Sequence, residues 1–207
     1  MFKSIILLVT VSFISMTAYS TEPMKGDNKH TRVWNKFAQD TLLLHKKLID
    51  GKKIEIKNSI GGYANTKNFY TEQRFYENDK LISQVQWEKD DPTTLHTIEV
   101  FVHDAKGRVT RDFMAAYLPF FHNAPTQTLI SIHHYTGELH AFRSFDATGD
   151  MVLERCTGTM GNGEEVNMLL DEDDLIYDND DIMSTKEYSV CFTGFKQTKL
   201  GKYIIPQ

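Results

Sequence analysis

Histidine, whose side chain can bind metal ions or transfer protons, is concentrated in one part of the chain. Six of the eight histidines lie within residues 96–140, and His133, His134 and His140 form the closest group. Metal sites on helices favour ligands at positions i and i+4, and those on strands favour i and i+2. The adjacent His133 and His134 therefore point apart and do not easily share one ion.

An enzyme site is one interpretation of residues 118–146. His122, His133, His140 and Asp146 would converge there from different elements and form a metal-dependent or hydrolytic site. The alternative is that these histidines lie on the surface or are hydrogen-bonded in the core. The chain has no GxSxG motif. We assign no catalytic residue, and a non-enzymatic protein is the favoured class.

An acidic run, LDEDDLIYDNDD, occupies residues 170–181 and places seven carboxylates in twelve positions. Calcium needs several oxygen ligands at once, and Asp171, Asp173, Asp178 and Asp180 are the candidates for a weak site. The run lacks the EF-hand spacing, because no Gly occupies the sixth position after Asp171 and no Glu the twelfth. The alternatives are a solvated acidic turn or an acidic surface for a basic partner. We expect no other cofactor.

Aromatic residues cluster around LPFFHNAPTQT, residues 118–128, whose two prolines interrupt the pattern of strands. Loops stiffened by proline can expose aromatic rings that form a ligand pocket or a partner surface. The alternative is that the rings fill the core under the sheet. The residues of this predicted patch are Tyr117, Phe120, Phe121, His122, Tyr135, His140 and Phe142.

The first 20 residues have the pattern of a signal peptide. Lys3 gives a positive start, residues 5–16 are apolar, and small residues follow at positions 18 and 20. A membrane anchor is the alternative, but the apolar run is shorter than the roughly 20 residues that span a bilayer. We therefore predict a single exported domain over residues 21–207, in the periplasm or outside the cell, with no membrane span after cleavage.

The formal charge of the exported domain indicates which partners to expect. Removing residues 1–20 removes Lys3 and no acidic side chain, so the formal net charge changes from −5 to −5 − 1 = −6. An acidic chain is not expected to bind nucleic acid.

Cys156 and Cys191 are the two cysteines, and an oxidising compartment favours a disulfide between them. The alternatives are two free buried thiols or a redox-active or nucleophilic thiol, and the chain has no CxxC motif to indicate redox chemistry.

One turn pattern occurs twice, as HDAKGRV at residues 103–109 and FDATGDM at residues 145–151, with apolar residues alternating on either side. Asp can accept hydrogen bonds from the backbone two residues on, and Gly supplies a positive φ, so both predict β-hairpins. Shorter turns of similar style are YENDKLI at residues 76–82 and YDNDDIM at residues 177–183.

These turns resemble the hairpin repeats of the YD (Rhs-like) or MORN-like kind. In those repeats an aromatic-Asp-x-x-Gly turn links strands of an antiparallel meander, so the resemblance implies a meander here. Asp150 stands where the repeats usually carry a basic residue. The alternative is that an ordinary antiparallel sheet reuses a favourable turn.

The remaining pattern completes the predicted fold. Apolar residues at helical spacing over residues 31–50 predict an amphipathic helix that Gly51 ends, and Gly61-Gly62 is expected to open a loop. A first hairpin is predicted over residues 69–87. Residues 129–135 favour a short helix, with a strand as the alternative. Further strands are predicted at residues 139–145, near 166–170 and at 186–195.

The predicted class is α+β and mainly β. An antiparallel meander of about seven or more strands would carry the N-terminal amphipathic helix on one face. The favoured function is that of an exported, non-enzymatic binding protein with a protein partner, for example an inhibitor or immunity-type protein that captures a basic partner. A structural module of an envelope assembly is a further alternative.

Overall fold

A computed structural model describes residues 25–26, 28–63, 65–118, 124–176 and 180–195. The signal peptide predicted at residues 1–20 lies outside these ranges. Within them, no helix is both long enough and apolar enough to cross a membrane.

One antiparallel sheet of nine strands forms most of the described structure. Its strands follow each other in chain order, and each pairs with the next, so β1 and β9 are the two edges. The predicted antiparallel meander is confirmed. The strands are β1 (Glu55–Tyr63), β2 (Thr66–Glu77), β3 (Lys80–Glu88), β4 (Leu95–His103), β5 (Val109–Leu118), β6 (Ala124–Thr136), β7 (Leu139–Phe145), β8 (Met151–Thr159) and β9 (Glu165–Leu170).

The two Asp-x-x-Gly turns form hairpins as predicted. The Asp104 carboxylate accepts a hydrogen bond of 2.8 Å from the backbone N–H of Lys106, and Gly107 has a φ of 81°. Asp146 and Gly149 repeat this geometry between β7 and β8. Positive φ is readily adopted by Gly, which explains why the pattern recurs where a hairpin must reverse the chain.

The shorter turns have different outcomes. Asn78 and Asp79 both have positive φ and join β2 to β3, so the hairpin at residues 76–82 is confirmed. The hairpin predicted at residues 177–183 is wrong, because Asp180–Met183 is a short helix, α3. Residues 177–179 lie outside the described ranges.

The N-terminal helix is confirmed and lies on the sheet. Helix α1 (Lys29–Ile49) begins after Asn28, whose side chain accepts a hydrogen bond of 2.8 Å from the N–H of Thr31. This cap satisfies one of the free donors at the start of a helix. The ring of Phe37 is fully buried, with its centroid 6.4 Å from that of Phe113 on β5. The apolar side of α1 thus closes the core over the middle of the sheet.

Residues 129–135 form a strand, and the predicted helix is wrong. They belong to β6, which pairs with β5 on one side and β7 on the other. Ile130 and Ile132 are buried, and β-branched residues of this kind favour strands over helices. Pairing with β5 and β7 therefore outweighs the local helical pattern.

Residues 186–195 were predicted as a strand, and this is also wrong. Helix α4 (Lys186–Phe192) occupies most of the segment, and α2 (Glu172–Ile176) lies before it. The side chain of Thr185 accepts a hydrogen bond of 3.2 Å from the N–H of Tyr188 and caps α4. The core side of α4 carries Tyr188, Cys191 and Phe192, whose spacing of three and four residues is that of one helix face.

The predicted disulfide is present, but Cys191 lies in a helix and not in the strand predicted at residues 186–195. Cys156 and Cys191 are bonded, with a Cα–Cα distance of 6.1 Å. Cys156 lies within β8 and Cys191 within α4, so the bridge fixes a helix on the face of the sheet and does not join two strands.

The Gly61-Gly62 pair is part of β1, and the predicted loop is wrong. A Cβ atom on Gly61 would lie 2.6 Å from the ring of Tyr70, and one on Gly62 would lie 1.9 Å from the carbonyl oxygen of Thr66. These glycines therefore allow β1 and β2 to approach closely.

The register divides the sheet into two faces. Residues paired across neighbouring strands project to the same side, so the pairing assigns each residue to a face. We call the side that contacts α1 and α4 the covered face; it includes Val85, Ile98, Val100, Phe113, Ile130, Ala141 and Cys156. We call the opposite side the open face; it includes Gln84, Glu99, Asp112, Ser131, Phe142 and Ser144.

Candidate binding cleft

A cleft of about 530 Å³ lies on the open face. Its size is in the range of sites for small molecules. The described residues of its lining belong to β4–β8. They are Thr97, Glu99, Phe101, Val109, Asp112, Met114, Leu129, Ser131, His133, Tyr135, His140, Phe142, Ser144 and Leu153.

The cleft combines apolar walls with a group of titratable side chains. Phe101, Met114, Leu129, Phe142 and Leu153 supply apolar surface. Two carboxyl groups, two imidazole rings and the hydroxyls of Thr97, Ser131, Tyr135 and Ser144 supply the polar surface. The lining residues that the structure describes include no Lys or Arg. Apolar walls with a few convergent polar groups are typical of ligand sites.

Asp112, His133 and His140 form a hydrogen-bonded chain. His133 Nε2 lies 2.6 Å from Asp112 Oδ2, and His133 Nδ1 lies 2.8 Å from His140 Nε2. Asp112 and His133 are both largely buried, with side-chain exposures of 10% and 9%. The carboxylate therefore orients the first ring, and the first ring orients the second.

His140 is further fixed by aromatic contacts. Its ring stacks on Tyr135 with a centroid distance of 4.5 Å and an interplanar angle of 4°. The guanidinium of Arg108 lies 4.7 Å from the centre of the Tyr135 ring. Burial and, to a smaller extent, the neighbouring His133 lower the pKa of His140. The ring is therefore predominantly neutral at pH 7 and can accept a proton.

Glu99 is the second acidic group of the cleft. Gln84 Nε2 donates a hydrogen bond of 2.7 Å to Glu99 Oε2. Burial and, to a smaller extent, the nearby carboxyl of Asp112 raise the pKa of Glu99 to about 8. Glu99 therefore holds its proton at neutral pH.

Two serines join β6 and β7 on the open face. Ser131 Oγ and Ser144 Oγ lie 3.0 Å apart and both side chains are buried. Ser131 pairs directly with Asp112 of β5 in the register. The hydroxyls thus lie beside the acidic part of the cleft.

Two buried glutamates elsewhere in the sheet have cationic partners. Glu72 Oε1 lies 2.7 Å from Arg74 Nε, and Glu154 Oε1 lies 2.5 Å from Arg143 Nε. The Arg143–Glu154 pair lies on the covered face, where Tyr188 of α4 also donates a 3.0 Å hydrogen bond to Glu154. That network attaches α4 to the sheet, whereas no ion pair among the described residues includes Glu99.

The structure places the residues of the predicted aromatic patch in different environments. Tyr135, His140 and Phe142 line the cleft. Tyr117 is buried in the core with 1% exposure. The other members, Phe120, Phe121 and His122, lie outside the described residues.

The residues grouped in the enzyme hypothesis are also separated. His133 and His140 are in contact, but Asp146 lies in the β7–β8 turn, where it accepts a 3.3 Å hydrogen bond from Trp34 Nε1. Asp112 takes the place next to His133. His122 lies outside the described residues.

The acidic run provides caps for a helix. Asp171 Oδ1 accepts a hydrogen bond of 3.1 Å from the N–H of Asp173 at the start of α2. Asp178 and the side chain of Asp180 lie outside the description. In the part of the chain that is described, no group of three or more His, Cys, Asp or Glu side chains could hold a metal ion.

Sequence reasoning missed Glu99 and Asp112. Glu99 lies between Ile98 and Val100, and Asp112 precedes Phe113. A polar residue that alternates with apolar ones in a strand usually faces solvent. Only the order of the strands shows that β4, β5 and β6 bring these carboxyls next to His133. The signal available was the concentration of histidines between residues 96 and 140.

A scan against protein-family models, a search of the curated proteins and a search of the solved structures give no match to this chain. The functional assignment therefore rests on the geometry of the cleft.

Proposed function

We propose that this chain is an exported binding protein that takes a ligand into the cleft on the open face. The cleft itself is the observation that supports this function. Its polar side chains lie among apolar ones and face an accessible space. Such an arrangement is typical of a site that binds a ligand. In an inhibitor or immunity-type protein the ligand would be a side chain of a protein partner.

Export is supported by the disulfide and by the N-terminal sequence. Disulfides persist in oxidising compartments, and a bond between Cys156 and Cys191 fits one of these. Residues 1–20 have the pattern of a signal peptide. N-terminal sequencing of the protein from periplasm and culture medium tests export, and a chain retained uncleaved in the cytoplasm would contradict it.

A variant that fills the cleft tests the binding function. Leu129→Trp places a large ring in the lining. Leu169→Trp is the matched control, because Leu169 is 56% exposed and pairs with Arg155 at the edge of the open face, outside the cleft. Both variants must keep the unfolding midpoint of the wild type within a few degrees.

The three proteins are purified from their native host under mild conditions, and bound molecules are identified by native mass spectrometry. We expect one bound species with the wild type and with Leu169→Trp, and its loss with Leu129→Trp. A wild type that carries nothing, or equal retention by the two variants, would contradict binding in the cleft.

A second candidate function is hydrolysis, which the Asp112–His133–His140 chain favours. His140 would take a proton from water, the hydroxide would add to an ester carbonyl, and the imidazolium would return the proton to the departing alcohol. Asp112 would stabilise the charge through His133. Turnover of p-nitrophenyl acetate by the wild type that His140→Gln abolishes would support this activity. Equal rates for the wild type and for Leu129→Trp, whose cleft is filled, would contradict it.

A further inference from the structure

We propose that the cleft binds an organic ammonium ion, a molecule that joins a protonated amine to an apolar body, with the amine between Glu99 and Asp112. This inference rests on the proposed binding function and specifies the chemistry of the ligand.

The two carboxyl groups are close enough to serve one cation. In the register Glu99 pairs with Met114, and Phe101 pairs with Asp112. Glu99 and Asp112 are therefore diagonal neighbours on adjacent strands and project from the same face, a separation that side chains of this length span. Asp112 is also one of the groups that raise the pKa of Glu99.

The missing component of this pair of carboxyls is a positive charge. His133 occupies Asp112 Oδ2, whereas the described partner of Glu99 is the neutral amide of Gln84. Elsewhere in the sheet, Arg74 and Arg143 neutralise buried glutamates. Buried carboxyls are normally paired with a cation or kept protonated, so an incoming cation would complete the arrangement at Glu99.

The apolar walls favour an organic cation over a metal ion. Met114 and Leu129 pair directly across β5 and β6, and Phe101 lies beside Asp112. Calcium requires six to eight oxygen ligands, and the lining residues that the structure describes offer too few around these carboxyls. A ligand with an apolar body would bury these side chains while its amine reaches the acids.

Binding of a cation would displace the proton that Glu99 holds at neutral pH. The groups that act on Glu99 are Asp112 on β5, Glu72 on β2 and Gln84 on β3, and its pKa is about 8. The amine would thus bind more tightly as the pH rises from 7.0 to 8.5. Burial and the neighbouring His133 lower the pKa of His140, so this ring stays neutral over the interval. Alkyl amines, which titrate near 10.4, stay charged.

The test compares 2-phenylethylamine with 2-phenylethanol, which has the same apolar body and no charge, by isothermal titration calorimetry. We expect the amine to bind at least about tenfold more tightly than the alcohol. The fraction of ionised Glu99 implies a further gain of about eightfold between pH 7.0 and 8.5, with release of a proton. Titration in buffers of different ionisation enthalpy measures that proton.

Glu99→Gln tests the assignment to this residue. We expect it to bind the amine at least about tenfold more weakly at pH 8.5 and to lose the gain between pH 7.0 and 8.5. Glu55→Gln is the matched control, since Glu55 is an exposed carboxyl on the open face outside the lining. It should bind like the wild type. A cooperative unfolding transition with a midpoint at or above that of the wild type shows that Glu99→Gln is folded.

A free amine and a lysine side chain of a partner protein share this chemistry. Nα-acetyl-lysine amide is therefore titrated alongside: tighter binding of this probe supports a side chain, and tighter binding of 2-phenylethylamine supports a small molecule. Equal affinities for amine and alcohol, or unchanged binding by Glu99→Gln, would overturn the inference. If neither probe binds but Leu129→Trp still loses its bound species, the ammonium inference alone fails and the binding function stands.

Discussion

His133 Nδ1 lies 2.8 Å from His140 Nε2, and the other nitrogen of His133 lies 2.6 Å from a carboxylate oxygen of Asp112. A carboxylate only accepts hydrogen bonds, so His133 Nε2 must carry a proton. In the neutral ring His133 Nδ1 then accepts, and the proton of the His133–His140 bond belongs to His140 Nε2. Asp112 thus selects the tautomers of both rings through these two hydrogen bonds.

This relationship predicts the titration of His140. Burial and then His133 lower its pKa from 6.5, so replacing His133 with Gln should raise the pKa of His140. Long-range ¹H–¹⁵N NMR spectra follow both the tautomer and the titration. We expect the Nε2–H tautomer of His140 in the wild type at pH 7.5. A pKa that is unchanged or lower in the His133→Gln protein would contradict the coupling.

Glu99 should make the protein less stable as the pH rises. Its pKa is about 8 in the folded state and near 4.5 in the unfolded chain, so the folded state binds more protons between these values. The free energy of unfolding attributable to Glu99 therefore falls as the pH rises from 4.5 to 8. Glutamine resembles the protonated acid, so the Glu99→Gln protein should not lose this stability as the pH rises.

We expect Glu99→Gln to be more stable than the wild type at pH 8.5 by roughly 2 kcal/mol, a figure reduced because the side chain is partly exposed. At pH 5 the two proteins should be similar. Urea unfolding at both pH values measures the difference, with Glu55→Gln as control. A Glu99→Gln protein that is less stable at pH 8.5 would show that Glu99 is ionised in a favourable setting.

His45 should govern part of the loss of stability in acid. The ring is 1% exposed, hydrogen-bonds with Ser83 Oγ at 2.9 Å and contacts Phe75 edge-on. Burial, followed by the charge of Lys46, lowers its pKa to about 4. The unfolded chain, with a pKa near 6.5, therefore binds the proton more readily, and stability falls as the pH drops from 6.5 to 4.

The full shift corresponds to about 3 kcal/mol. We expect His45→Gln to lose less stability than the wild type over that interval, by an amount of this order. His30→Gln is the matched control, because His30 is an exposed residue of the same helix. Urea unfolding followed by circular dichroism at pH 7, 5.5 and 4.5 gives the comparison. Identical pH dependence in all three proteins would contradict the role of His45.

The fold was predictable where local chemistry and tertiary contacts agree. The turns at Asp104 and Asp146 need a carboxylate and a glycine at fixed positions, so their short sequences define hairpins in isolation. Residues 129–135 and 186–195 carry patterns that suit either a helix or a strand. For these segments the choice depends on neighbours distant in the sequence, namely β5 and β7 for the first and β8 for the second.

The site was predictable only in part, for a related reason. His133 and His140 stand on adjacent strands of one hairpin, so a local pattern was enough to group them. Glu99 and Asp112 reach the cleft through the pairing of β4, β5 and β6, which the sequence does not specify residue by residue. Proximity of a carboxyl to an imidazole across a sheet depends on register, and a shift of one residue would place it on the covered face.

Tyr117 provides a test of a buried hydroxyl. The side chain is 1% exposed, and its hydroxyl has no hydrogen-bond partner among the described residues. Burial of an unpaired polar group is unfavourable, so Tyr117→Phe should leave stability unchanged or raise it by about 1 kcal/mol.

Tyr188→Phe is the contrasting variant, because its hydroxyl donates a hydrogen bond of 3.0 Å to Glu154. We expect this variant to be less stable by about 1 kcal/mol. Chemical denaturation at pH 7 compares the two. A clear loss of stability in Tyr117→Phe would show that its hydroxyl has a partner outside the described residues.

The disulfide should be the largest single contribution to the stability of the C-terminal part of the fold. Cys156 and Cys191 are separated by 35 positions, and closing a loop of this length stabilises by about 4 kcal/mol in the chain-entropy model. For a domain of this size that corresponds to a decrease of about 10 °C in the midpoint of thermal unfolding on reduction. Because the bridge joins α4 to β8, its loss should first free α4.

Calorimetry with and without a reductant measures the midpoint, and hydrogen exchange locates the change. We expect faster exchange in α4 after reduction, with β4–β6 unaffected, because α1 and the neighbouring strands hold that part of the sheet. The Cys156→Ala, Cys191→Ala double variant should unfold like the reduced protein and should not respond to the reductant. Two titratable thiols in the denatured, unreduced protein would show that the bond is absent, and uniform exchange over the whole sheet would show that α4 does not unfold as a separate unit.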